Sequence, residues 1–297
     1  MQSNLEGAPE ADNSPAASAV DARSIPVRGA LAPYVAALMA VELGRTGPLP
    51  LAVVPHESLA LVVQLGRGRH GIEQKGQHGE LTRLTGIRQW TGSFTGAGDC
   101  ITLFALLTPL GAVQLLDSRP LADTPRIGAA VAALLDGRLM RLLESDIALA
   151  PTLNDKLLVL AAWLEDRATG QRRVAPAALR AGRAAMRVCA APGLPMQTLA
   201  DEQHVSRRQL ERDFGRWIGT SPRHLARVAR VQAVSRRAQT GASLADIAAD
   251  VGFADQAHMS NVVRQLTGLT PRRFARAGAT PMAAAFRHAT AGGTVYL

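Results

Sequence analysis

Between Leu51 and Leu107 the apolar residues come in short runs: LAVVP (51–55), LALVVQL (59–65), LTRLTGIRQW (81–90) and CITLFALL (100–107). Clusters of Gly, His, Asp and Ser separate them. Short apolar runs bounded by turn residues predict β-strands in a small sheet or barrel. Upstream, LAPYVAALMAVEL (31–43) fits either a helix or part of a layered edge. A helical period takes over at Ile127 to Leu143 and again at Leu153 to Arg167. In the second stretch Leu157, Leu160, Ala161 and Leu164 fall on one face. The polar joint ATGQRRVAP (168–176) then marks a domain boundary.

Past the joint the pattern is helical throughout. AALRAGRAAMRVCA (177–190) stops at Pro192-Gly193, a strong breaker pair. Pro195 sits where a helix can begin, because its missing N–H is not needed there. LADEQ (199–203), a turn and SRRQLERDFGRWIG follow. Pro222 opens a longer helix to about Gln239, and Gly241 closes it. Ser243, with Asp246 three residues on, starts the next helix as a capping-box variant. LADIAADV leads to Gly252 and a helix from Asp255, and Pro271 opens a last short helix.

Within this region one pattern occurs twice. Leu199, Ala200, His204 and Val205 align with Ile247, Ala248, Gly252 and Phe253. After one extra residue in the second copy, Ser206, Leu210, Phe214, Gly219 and Pro222 align with Asp255, Met259, Val263, Gly268 and Pro271. Each copy reads as helix, tight turn, helix, with a small Ala for close approach and a Ser or Asp cap on the second helix. Leu210 and Phe214 are expected to point inward. The helix from Pro222 to Gln239 spans roughly 27 Å at ~1.5 Å per residue. With helix widths added, the two second helices would stand roughly 34 Å apart, one turn of duplex DNA. Leu225, Val228, Val231, Val234 and Ala238 form an apolar stripe on this connector, with Arg223, Arg227, Arg230, Arg236 and Arg237 mainly on its other faces.

Charge sharpens the picture. The whole chain of 297 residues carries +9, yet residues 171–276 alone hold 18 arginines against 7 acidic residues, a local balance of +11. A basic third on a nearly neutral body points to an anionic partner for that third, nucleic acid before membrane. The length allows two domains. The two cysteines, Cys100 and Cys189, form at most one disulfide and no four-thiolate zinc site, as expected of an intracellular reduced protein. The first two dozen residues lack the apolar core of a secretory signal and read as a disordered lead. No run approaches the ~18 apolar residues of a membrane span, so a cytoplasmic protein with no membrane partner is expected.

Residues 177–276 resemble the DNA-binding domain of AraC/XylS-type bacterial transcription regulators. The resemblance rests on LADEQHVSRRQLERDF with GTSP, and on IAADVGFADQAHM with LTGLTPRRF. The region before it resembles, more loosely, the small β-rich sensor domains that precede such domains, and LLTPLGAVQLL (106–116) resembles a Pro-x-Gly-Ala segment found in some members. The resemblance implies an α+β protein: a small N-terminal sheet or barrel of cupin-like type with helices, and an all-α C-terminal domain of two helix-turn-helix units. The expected division is a disordered lead (1–24), a sensor or dimerisation domain (25–170), the DNA-binding domain (177–276) and a tail (277–297). It implies double-stranded DNA as partner, with RNA polymerase, a small-molecule effector and a second copy of the chain as further ones, and nucleoid association when bound.

In the first unit the exposed face of the second helix carries Arg207, Arg208, Glu211 and Arg212. Arginine grips guanine bidentately, so Arg208 and Arg212 lead as base readers. The second unit offers Gln256, Ala257, His258, Ser260 and Asn261, with chemistry suited to adenine and the thymine methyl. Ser221 and Thr270 are expected to cap the helices that Pro222 and Pro271 begin. Those helix starts, with Arg223, Arg272 and Arg273 beside them, are candidate phosphate contacts. The plain alternative for each is a solvated helix face or a cap and nothing more.

Several positions depart from the family pattern. His204 stands where Gly is usual and is expected to take a left-handed conformation at some cost. Met259 is a tolerable core exchange. Asn261 and Val263 replace a frequent Arg and Phe, which shifts the weight of recognition to the first unit. His56, His70 and His78 lack ligand spacing, and Trp90 and Phe94 suit core packing, so no metal or cofactor is expected. A DNA-targeted enzyme is the competing reading. Alkylation repair would need a thiolate–zinc cluster or an activated Cys, and a cupin enzyme would need a His and carboxylate metal set. Neither is found in the sequence.

Overall fold

The computed structural model describes residues 20–43, 49–53, 55–66, 69–72, 82–85, 92–97, 100–116, 137–170 and 173–277. Among the described residues eight strands come first: β1 (Val20–Ile25), β2 (Val35–Leu43), β3 (Leu49–Val53), β4 (Leu59–Gly66), β5 (Arg69–Ile72), β6 (Thr82–Thr85), β7 (Gly92–Ala97) and β8 (Cys100–Leu107). They form a five-stranded sheet in the order β1-β2-β8-β4-β6 and a three-stranded sheet in the order β3-β7-β5. Every pairing is antiparallel.

Two expectations change here. Residues 20–24 do not belong to a disordered lead, because β1 pairs with β2 from Val20↔Leu43 to Ile25↔Leu38. The 31–43 run is a strand from Val35, and its position between β1 and β8 explains its unbroken apolar character. Both faces are covered: Leu38 and Ala40 lie in the main core, while Ala37, Met39 and Val41 join Val62, Phe104 and Leu106 in a second cluster. A strand buried on both faces reads as a continuous apolar run. The expected helix from Ile127 is described only from Gly137. Trp90, His78 and the tail beyond Ala277 lie outside the described residues.

Among the described residues three helices cover the main-core face: α1 (Pro109–Leu115), α2 (Gly137–Leu149) and α3 (Leu153–Thr169). Thr108 sets the start of α1. Its Oγ1 accepts from the Gly111 N–H at 2.9 Å and donates to the Pro33 carbonyl at 2.9 Å. Gly111 is required there, since a Cβ would stand 1.8 Å from the Tyr34 carbonyl oxygen. The helix α3 then closes the ends of the other two. Buried Lys156 donates through Nζ to the carbonyls of Ile147 at 2.8 Å and Ala150 at 2.6 Å, at the C-terminus of α2. Arg167 donates through Nε to the Leu115 carbonyl at 2.7 Å, at the C-terminus of α1. Cations at helix C-termini satisfy the free carbonyls and complement the dipole, which makes their burial tolerable.

The C-terminal region contains α4 (Pro176–Ala190), α5 (Met196–Glu202), α6 (Arg207–Ile218), α7 (Pro222–Ala238), α8 (Leu244–Asp250), α9 (Gln256–Thr267) and α10 (Pro271–Ala277). The polar joint separates α3 from α4 in sequence, but packing continues across it. A Cβ on Gly182 of α4 would lie 2.8 Å from Val113 Cγ2 of α1, so the two helices meet closely. One buried apolar cluster runs from the sheet through α1 and α4 to α10. The connector α7 lies inside this assembly. Leu225, Val228, Val231 and Val234 are buried as expected, and so are Gln232 and Ser235.

Candidate nucleic-acid interface

Each helix-turn-helix unit is built from a short helix, a tight turn and a capped second helix. In the first, Ser206 Oγ accepts from the Gln209 N–H at 3.2 Å and starts α6. In the second, Asp255 Oδ1 accepts from the His258 N–H at 2.7 Å and starts α9. Both second helices end on a left-handed glycine, Gly219 at φ 73° and Gly268 at φ 72°. Left-handed C-terminal glycines carry no Cβ penalty. The turn position differs between copies: Gly252 has φ 80°, and His204 takes φ 54° as the repeat predicted.

Leu210 and Phe214 are fully buried, as are their counterparts Met259 and Val263. That rotation leaves Arg207, Arg208, Glu211 and Arg212 exposed on α6. Arg207 Nε pairs with Glu211 Oε1 at 2.9 Å, and Arg212 donates to the Gln209 side chain. Arg208 is exposed and has neither of these partners. The helix itself is pinned from behind: Arg180 of α4 donates twice to Asp213 Oδ2, at 2.8 and 2.6 Å, and Gln209 donates to Asp213 Oδ1 at 2.7 Å. A buried carboxylate met by a bidentate guanidinium fixes orientation.

On α9, Gln256, Ala257, His258 and Asn261 are exposed and Ser260 is half-buried. The His258 ring sits edge-on to Phe253 at 5.5 Å. It is therefore packed at the turn. Ser221 caps α7 by accepting from the His224 N–H at 3.1 Å, and Thr270 caps α10 by accepting from the Arg273 N–H at 3.4 Å. Arg223, Arg272 and Arg273 are exposed beside those starts.

Between α6 and α9 lies a groove of about 1330 Å³. Arg207, Glu211 and Gly215 form one wall, and His258, Asn261 and Gln265 the other. Its floor is the first half of α7. The sequence marked Ser221 and Arg223 of this floor as candidate phosphate contacts, but Arg227 and Arg230, expected simply on the other faces of the connector, line it too. Farther along α7, Arg236 turns away from the groove to Glu57 of the sheet region, with Nη1 3.4 Å from Oε1. Only the side chains that face the groove come from the same stripe, at about 100° per residue.

Residues 199–277 match the family described as helix-turn-helix domain. The C-terminal helices are an AraC/XylS-type double helix-turn-helix domain. No curated protein matches the chain. In solved structures the chain resembles the C-terminal domain of AraT, a response regulator from Geobacillus stearothermophilus, at 23% identity, over 33% of this chain and 84% of that one, with a TM-score of 0.31. It resembles ToxT from Vibrio cholerae O395 at 11% identity, over 80% of this chain and 95% of that one, with a TM-score of 0.42. The AraC-like transcriptional activator CuxR matches at 11% identity, over 83% and 91% of the two chains, with a TM-score of 0.23. The matched stretch begins inside α5, and α4, which lies before it, holds α6 through Arg180.

Among the described residues, no three His, Cys, Asp or Glu side chains are grouped to hold a metal ion. No described helix is long and apolar enough to cross a membrane. Cys189 is a free thiol whose pKa is pushed strongly up, first by burial and then by the Glu57 carboxyl. That is the reverse of what a nucleophilic cysteine needs.

Proposed function

We propose that this DNA-binding transcription regulator sets α6 and α9 in successive major grooves on one face of the duplex, and acts without an enzymatic step of its own. The observation that supports this most is the pair of capped helices, both with polar exposed faces, flanking a basic groove. Arg208 and Arg212 are the guanine readers, and Gln256, Ala257 and Asn261 read the second groove. Glu211, Ser260 and His258 hold or shape those faces. Ser221, Arg223, Thr270, Arg272 and Arg273 meet phosphate. A selected binding site tests the reading: Arg208→Ala and Arg212→Ala each lower preference for it by about 1–3 kcal/mol. Unchanged preference in both variants would overturn it.

The division into a sensor region to residue 170 and a DNA-binding region from 177 belongs to the same proposal. The second apolar cluster supports a small effector with an apolar body. Met39, Phe104 and Val62 lie in one cross-strand row, and Val41, Thr102 and Gln64 in the next, so that face carries two buried polar side chains at one end. Recruitment of RNA polymerase and residence on the nucleoid in the cytoplasm follow from the same role.

A homodimer is also proposed. The large exposed apolar side chains among the described residues are Leu139, Leu142 and Leu149 of α2 and Leu158 of α3, all on one helical hairpin, with Leu149 80% exposed. Clustered exposed leucines mark an interaction surface. Leu142→Glu is expected to shift sedimentation from dimer to monomer, and a parent protein that sediments as a monomer removes this part.

A further inference from the structure

The floor of the groove between α6 and α9 has a chemistry of its own. Arg223, Arg227 and Arg230 occupy successive turns of α7 on the side that lines it. The two inner arginines reach to opposite walls. Arg227 Nη2 donates to Gln265 Oε1 of α9 at 2.9 Å, and Arg230 Nη2 donates to the Pro192 carbonyl, beside the first unit, at 3.1 Å. Both partners are neutral, so the positive charge of each guanidinium stays uncompensated. Among the described residues the one carboxylate lining the groove, Glu211, is held by Arg207.

Two donors in this groove also lack partners. Thr220 is 8% exposed, and its hydroxyl has no hydrogen-bond partner among the described residues. The same is true of Arg230 Nε. A buried donor left unpaired is destabilising, and a ligand that accepts from it relieves that cost. Both groups are N–H or O–H donors beside an excess of cations, and their shared complement is an anion that only accepts hydrogen bonds. Phosphodiester oxygens fit that description, and Ser221 places the start of the long helix α7 at the same spot, where free N–H groups favour phosphate.

We propose that the groove floor is a seat for the sugar–phosphate backbone of the stretch of duplex lying between the two major grooves. Arg227, Arg230 and the Thr220 hydroxyl grip it, and the seat sets the register between the two recognised elements. This rests on the docking of α6 and α9 proposed above and extends it to base pairs that neither helix touches. Because α7 contacts both units through these arginines, the seat penalises sites whose two elements are spaced wrongly.

The test uses the full-length protein on a selected duplex site and on versions with one base pair inserted or removed between the two elements. Binding is measured by fluorescence anisotropy across a salt series. Arg227→Gln and Arg230→Gln are each expected to lower the slope of log affinity against log salt by about 0.9 per lost phosphate contact. Base preference stays as in the parent, and the penalty for the altered spacings shrinks. Thr220→Val is the control for folding, because it removes the unpaired hydroxyl at nearly constant shape. It should melt at or above the parent temperature yet bind DNA several-fold more weakly. An unchanged salt slope in both arginine variants, or parental affinity in Thr220→Val, overturns the seat. Equal binding of inorganic phosphate and duplex, scored by competition, overturns the duplex as occupant. Failure of Arg208→Ala and Arg212→Ala to alter base preference, with the slope still reduced in Arg227→Gln, would overturn the helix docking and leave the seat standing.

Discussion

Gln232 donates through Nε2 to the carbonyl oxygen of Pro55 at 2.7 Å, across 177 residues of sequence and from the buried face of the connector helix to the sheet region. At about 100° per residue, Gln232, Ser235 and Arg236 lie on the side of α7 opposite Arg223, Arg227 and Arg230. One side of the helix faces the groove and the other is held by the loop Pro55–Ser58. Gln232→Leu would leave the Pro55 carbonyl buried without its donor, at a cost of about 1–3 kcal/mol. The denaturant midpoint of the full-length protein should fall accordingly, while Gln239→Leu, at an exposed position, should leave it unchanged.

The same loop makes stability depend on pH. His56 accepts from the Ser58 N–H through Nδ1 at 3.0 Å, and its Nε2 is buried without a partner. Burial, and then the Arg236 charge, push its pKa down to about 4 from 6.5. The unfolded chain therefore takes up a proton that the folded chain refuses, and stability is lost as pH falls from 6.5 towards 4. Glu57 acts in the opposite sense: burial raises its pKa against the pull of Arg236, so acidification relieves its cost. His56→Asn should flatten the acid-side loss, and Glu57→Gln should steepen it. Denaturant midpoints across that window check both, and parallel curves for parent and His56→Asn would contradict the assignment.

Cys189 should resist thiol reagents in the folded protein. Its raised pKa leaves almost no thiolate at neutral pH. Labelling by a maleimide, followed by peptide mass analysis, is expected at Cys189 only once denaturant unfolds the chain.

His204 holds a left-handed backbone that glycine adopts at no steric cost. His204→Gly should raise the melting temperature, with a gain of up to about 1 kcal/mol after the entropy of the freer unfolded chain is subtracted. Gly111→Ala should do the reverse and severely, because its Cβ would collide with the Tyr34 backbone and no side chain can yield.

What the sequence disclosed follows the range of each interaction. The caps at Ser206, Ser243 and Asp255, the glycine turns and the inward Leu210 and Phe214 are local signals repeated twice, and they stood out on alignment. The strain at His204 was visible for the same reason, through Gly252. The strands β5 and β7 were not: RHGI and GSFTGA carry glycine and little apolar alternation, and their partners supply the order. The sequence VDARSI of β1 carries no strand signal away from β2, so its first five residues read as part of a disordered lead. The seven residues of α1 are too few to show a period. Arg227 and Arg230 of the groove floor escaped because the arginines of α7 look alike along the chain. Only packing divides those that face Gln265 and Pro192 from Arg236, which faces Glu57.

The contact between Gly182 and Val113 bears on how the protein can be taken apart. Residues 171–175 look like a natural place to cut. A fragment starting there would keep every helix from α4 onward, but the surface of α4 that α1 had sheltered would be bare. Ala178, Ala181 and Ala185 would meet water together for the first time. Such a fragment should be greasy on one flank and prone to self-association, and appending residues 108–116 to it through a flexible tether should restore its solubility.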